Sequence, residues 1–210
     1  MKVLPVAIAV ALLVSSAAAW AQIRSQPARP TPPPTAAPPP GEMTERLLLV
    51  PPQGWKTAGS GGSKTTLTTQ MFPGNESSDN WTEMLSVQVV ADGRADPRDH
   101  IQRIVEASRT NCDASGPSPV TEGLTNGYPV ATMTVTCTKG RVSGMGGLVA
   151  VKAIRGAQAL YVIQRVWRGP AFERNEVAPV PEGMLKEWSS FLRAVSVCDI
   201  ADSTRHPCPK

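Results

Sequence analysis

Residues 128–138 read YPVATMTVTCT, residues 147–154 GLVAVKAI and residues 159–167 ALYVIQRVW. In the first run Ala131, Met133, Val135 and Cys137 alternate with threonine, the period of two that turns one face of a strand toward a core. The second and third runs are apolar almost throughout, and Arg155-Gly156-Ala157-Gln158 between them is a turn, so they form a hairpin. Asn126-Gly127 tolerates positive φ and places a reversal just before the first run. Three consecutive antiparallel strands are expected.

Two helices flank this meander. Asp96-Pro97 opens the first: Asp96 suits the N-cap, Pro97 the position where a missing N–H costs nothing, and Asp99 the positive first turn. Ile101, Ile104, Val105 and Ser108 then mark one buried stripe, with an end near Asn111. The second spans Glu182 to Val195, where Met184, Trp188, Phe191, Leu192 and Val195 share one face. Further upstream, Arg46 to Val50 reads as a short strand stopped by Pro51-Pro52. Gly59 to Ser63 reads as a flexible loop and the threonine-rich Lys64 to Phe72 as a strand with one solvated face. Trp81 to Val90 is another strand, with Trp81, Glu83, Leu85, Val87 and Val89 on its core side. Segregated strands and helices of this kind predict an α+β fold, an antiparallel sheet covered by two helices, in a single domain over residues 42–210.

The order of these elements, together with the turn Pro52-Gln53-Gly54-Trp55, resembles the PsbP-like superfamily over roughly residues 44–197. That resemblance implies an α/β/α sandwich and a binding or assembly role, as in photosystem II subunits of plants and cell-envelope proteins of bacteria. It carries over no catalytic residue and no cofactor.

Ahead of the domain, Lys2, the apolar run Val3 to Val14 and Ala19-Trp20-Ala21 follow the order of a secretory signal, with cleavage expected before Gln22. The rival reading is an uncleaved anchor, since Val3 to Trp20 approaches the ~20 residues that span a bilayer; only then is a membrane a partner. Residues 22–41 are expected to be a disordered linker, in which Gln26 to Gly41 is dominated by proline and alanine, the composition of an extended segment reaching on the order of 50 Å. It serves either as a spacer or proline ligand, or as a tail without a partner.

The chain carries 21 Lys and Arg against 17 Asp and Glu, a formal net charge of +4, with the basic residues scattered. Nucleic-acid binders cluster their basic side chains, so nucleic acid is not expected as a partner. Export to an oxidising compartment (periplasm or exterior) makes Cys112, Cys137, Cys198 and Cys208 candidates for two disulfides, with three connectivities possible. Sequence neighbours favour Cys112 with Cys137 and Cys198 with Cys208. A redox pair or a metal site is the alternative, but no C-x-x-C motif or helical Cys/His pair supports it; no metal or cofactor is expected.

Motifs for chemistry are sparse. His100 follows Asp99 directly, so the two point to different helix faces and form no dyad, and His206 lies in the tail. No serine sits in a G-x-S-x-G elbow. Gly59 to Thr65 lacks the glycine that a phosphate loop needs before its lysine, and Gly140 to Gly147 joins two strands. Asn75 and Asn80 head glycosylation sequons, which matter only in a eukaryotic secretory path. Trp167, Arg168, Phe172 and Arg174 gather aromatic and guanidinium groups in one stretch and are the candidate partner contact, against core or solvated-loop roles for the same residues. The sequence therefore predicts an exported, non-enzymatic protein that binds an envelope protein or cell-wall component, with a carrier of a small apolar ligand as the alternative. A deep cavity between sheet and helices favours the carrier; an exposed aromatic–arginine patch favours the binder.

Overall fold

Alternation and capping set the elements of the computed structural model, which describes residues 43–209. The signal segment and linker expected over residues 1–41 lie outside the described residues. In chain order come β1 (Glu45–Leu48), β2 (Trp55–Gly62), β3 (Thr66–Pro73), β4 (Glu83–Val90) and α1 (Pro97–Asn111). Then follow β5 (Ser115–Pro117), β6 (Thr121–Thr125), β7 (Tyr128–Cys137), β8 (Gly146–Arg155), β9 (Leu160–Gly169), α2 (Met184–Ala194) and β10 (Ser196–Asp199). The fold is α+β. An antiparallel sheet runs in the order β2-β3-β4-β9-β8-β7-β5, with β6 also paired to β7, and β1 and β10 form a separate two-stranded ribbon.

Register sorts the side chains into two cores. Val151 and Ala153 of β8 and Leu160 and Val162 of β9 pack with Ala131, Met133 and Val135 under Ile101 and Val105 of α1. The opposite set, Leu148, Ala150 and Ile154 of β8 with Tyr161, Ile163 and Trp167 of β9, packs under Met184, Trp188 and Leu192 of α2. The helices therefore cover opposite faces of the sheet. Trp188 is 1% exposed, and burying a side chain of that size stabilises by up to about 3 kcal/mol.

Two charged residues interrupt the α2-side core. Arg165 is 1% exposed; its guanidinium lies 4.7 Å from the Trp55 ring, 5.3 Å from Trp188 and 5.2 Å from Phe191. It donates to Glu83 at 3.0 Å and to Glu187 of α2 at 3.2 Å, and Trp188 Nε1 donates to the same Glu83 carboxylate at 3.3 Å. This network fastens α2 to β4 and β9. The second charge, Lys152, shapes the candidate site.

Several expectations change. Gly59 to Gly62 is not a flexible loop but the end of β2, paired with Gln70, Thr69, Thr68 and Leu67 of β3 beyond a bulge. The hairpin turn follows at Ser63, and a Cβ on Gly62 would collide with the Thr66 carbonyl, so only glycine fits that approach. After the last helix the chain forms a strand that was not expected: Cys198 lies in β10, which pairs with β1 through Arg46. The tail beyond it folds back, and the His206 ring stacks on Tyr128 at 3.7 Å between centroids while its Nδ1 meets the Asn126 carbonyl oxygen at 2.9 Å.

Candidate functional site

On β7 the residues facing α2 are Tyr128, Val130, Thr132, Thr134 and Thr136, because Thr132 pairs directly with Lys152, whose ammonium reaches that helix. The sequence alternates threonine with apolar residues here, and the apolar set is taken by α1. That leaves the threonine face for α2, but α2 sits over β8 and β9 and stops short of β7. The space between is a groove. One cavity of about 500 Å³ lies between Leu185, Trp188, Ser189 and Leu192 of α2 and the strand residues Thr132 and Thr134. A second, of about 360 Å³, adjoins it at Thr134 and Leu185 and continues under Phe172, Ala178 and Val180 of the loop before α2. Leu124, Leu185 and Val177 at its margins are 73%, 47% and 90% exposed, unusual for large apolar side chains grouped along one cleft.

Lys152 lies at the base of the larger cavity and is 5% exposed. Its Nζ donates to the carbonyl oxygens of Leu192 at 2.8 Å and Val195 at 2.6 Å. These acceptors belong to the last turn of α2 and its C-cap, where carbonyls lack helical partners and the helix dipole favours a cation. Burial lowers the Lys152 ammonium from its usual value to about 8, so it remains largely charged at neutral pH. Arg193 also lines this cavity, and no carboxylate does.

A second concentration of polar groups surrounds Glu45, which is 5% exposed at the start of β1. Its carboxylate accepts from the Ala157 and Gln158 amides and, at 3.3 Å, from the Tyr161 hydroxyl. Asp199, 8% exposed, stands opposite Glu45 in the ribbon, and its carboxylate accepts from the Ala201 amide at 2.8 Å. Burial, reinforced by Glu45, holds the Tyr128 and Tyr161 hydroxyls protonated well above their usual range. These groups resemble an acid–base set in composition. The tail from Ile200 to Pro207 closes over the Tyr128 side through the His206 stack, and the β8–β9 turn closes the other. The carboxylates serve as anchors for turns.

The cysteines pair as Cys112 with Cys137 and Cys198 with Cys208, so among the described residues none is free. The first ties the end of α1 to the end of β7, and the second pins the folded tail to β10. Disulfides persist in oxidising compartments, and two of them place the chain with extracytoplasmic proteins by chemistry.

The candidate contact residues do not form one exposed patch. Trp167 is 4% exposed and belongs to the α2-side core, so its indole offers no surface to a partner. Arg168 lies 4.3 Å over the Trp81 ring and donates twice to the Trp81 carbonyl oxygen, which spends its fork on an internal contact. Phe172 is half-buried against Gly146 and lines the smaller cavity. Arg174 is exposed beside the same cavity. Alternation along β9 buries Trp167, and a single-stretch reading of residues 167–174 missed that the chain leaves the sheet between Gly169 and Phe172. Lys152 and the β7 threonines went unremarked as site residues, although a lysine inside an otherwise apolar run is a visible anomaly. His100 is half-buried beside Arg103, whose Nη2 lies 3.3 Å from its Nδ1; burial and that guanidinium lower its pKa.

Among the described residues no group of His, Cys, Asp and Glu is placed to hold a metal ion, and no helix is long and apolar enough to cross a membrane. No family model matches the chain, and no curated protein does. Among solved structures the chain is similar to a mutant of the protein Mog1, at 14% identity over 72% of this chain and 87% of that one, with a TM-score of 0.37.

Proposed function

We propose that this is an exported, non-enzymatic domain of the PsbP-like kind that acts in the periplasm or outside the cell by binding a component of the cell envelope. The observation that carries this reading is the groove between α2 and β7, a pair of adjoining cavities with exposed apolar side chains at its margins. Such a surface costs stability in water unless something covers it. The signal-like segment at residues 1–21 and the two disulfides support the location. The closure of the Glu45 cluster supports binding over catalysis. A second reading, a carrier of a small apolar ligand, draws support from the size of the larger cavity, which falls among typical small-molecule sites.

A photo-crosslinking amino acid at Leu185, on the groove, is expected to capture an envelope molecule in intact cells. The same group at Leu67 of β3, far across the sheet, is expected to capture none. Equal capture at both positions, or capture at neither, would overturn the proposal.

A further inference from the structure

We infer that the groove seats an anionic amphiphile of small-molecule size, with a carboxylate head on Lys152 and an apolar body along Leu185, Trp188 and Leu192. The inference rests on the envelope-binding reading and names the class of molecule bound. Three observations carry it.

The first is charge. The lining of the larger cavity contains Lys152 and Arg193 and no Asp or Glu, although the whole chain is nearly balanced in charge. A neutral or cationic ligand gains nothing from that bias. The second is the state of Lys152. An ammonium has three N–H groups, and two are taken by the Leu192 and Val195 carbonyls. The third has no protein partner among the described residues, and the residue is 5% exposed. A buried cation with an unspent donor is costly by itself and is relieved by an anion in the cavity that it lines. The third is what the strand edge forbids. The outer edge of β7 is already paired with β5 and β6, so an extended peptide has no free edge here to add to by backbone hydrogen bonding. A compact ligand entering between helix and sheet meets no such obstacle. Its body lies against apolar helix side chains, with Thr132 and Thr134 of β7 along its flank.

The test is calorimetric titration of the full chain with decanoate, kept below its micelle concentration, and with 1-decanol as the neutral counterpart of equal length. Saturable binding of one decanoate per chain is expected, at least tenfold tighter than decanol. Lys152→Met is expected to remove that preference. Leu185→Glu, at an exposed rim position where folding is not at stake, is expected to weaken decanoate binding at least tenfold through lost contact and added repulsion. Absence of saturable binding, equal affinity for the two probes, or wild-type affinity in Leu185→Glu would overturn the inference. If crosslinking at Leu185 still captures an envelope molecule while decanoate shows no preference, the ligand class falls and the envelope-binding reading stands. If both fail, both fall.

Discussion

Lys152 interrupts an apolar strand, and its placement under the end of α2 has a measurable consequence for stability. Burial lowers its pKa from 10.5 to about 8. Below pH 8 folded and unfolded chains both hold the proton, and the full cost of the buried charge is present. Between about pH 8 and 10.5 the unfolded chain binds the proton more tightly, so stability rises with pH. Tyr128 and Tyr161 act in the opposite sense: burial, then Glu45, raises their pKa above the usual value of 10, so the unfolded chain ionises first beyond about pH 10 and stability falls. Urea denaturation between pH 7 and 11 is expected to show stability climbing past pH 8 and turning down above about pH 10. In Lys152→Met the climb is expected to vanish while the downturn remains. The lysine was visible in the sequence as an oddity in β8; that it caps a helix was not, because its acceptors lie some forty residues away at Leu192 and Val195.

The two helices differ in what holds them. α1 is specified locally: the Asp96 carboxylate accepts from the Arg98 amide at 2.8 Å and the Asp99 amide at 3.2 Å, Pro97 begins the helix, and Arg109 sits in its last turn. Asp96→Ala is expected to lower stability by about 1 kcal/mol in urea unfolding and to leave decanoate binding unchanged. α2 has no side-chain cap. Its N-cap, Gly183, has φ of 79°, and its position follows from Met184, Trp188 and Leu192 packing on the sheet and from the Arg165 network. Its apolar face was legible at helical spacing for the same reason that it packs. The short strands were not. β5 and β6 are three and five residues of polar and glycine-containing sequence, and β10 owes its existence to β1 at the other end of the domain. None of the three has a local signal strong enough to mark it as a strand.

At the scale of the whole molecule the disulfides close separate regions. The Cys112–Cys137 bridge spans 25 residues and Cys198–Cys208 spans 10. Loop-closure entropy assigns about 3.5 kcal/mol to the first and about 2.7 kcal/mol to the second. Replacing both members of each pair by serine should therefore destabilise more for Cys112 and Cys137 than for Cys198 and Cys208, read as urea midpoints. The second pair of replacements carries an additional signature, because releasing the tail removes the His206 ring from Tyr128 and opens the Glu45 and Asp199 region to solvent. Tyrosine absorbance titration is expected to show the Tyr128 ionisation moving back toward its usual range. An unchanged titration would mean that the tail stays docked without its bridge.

The sequence alone determined the α+β class, the meander and the locally capped α1, because these depend on alternation and on interactions within a few residues. It also supplied the cysteines and the apolar face of α2. Only the tertiary structure decided where α2 lies across the sheet, and so left a threonine face of β7 uncovered, moved Trp167 into the core, and set Lys152 at the base of a cavity. Those outcomes depend on register between strands and on which side of a pleated sheet each helix packs. Contacts between residues distant in the chain set both, and no local pattern records them.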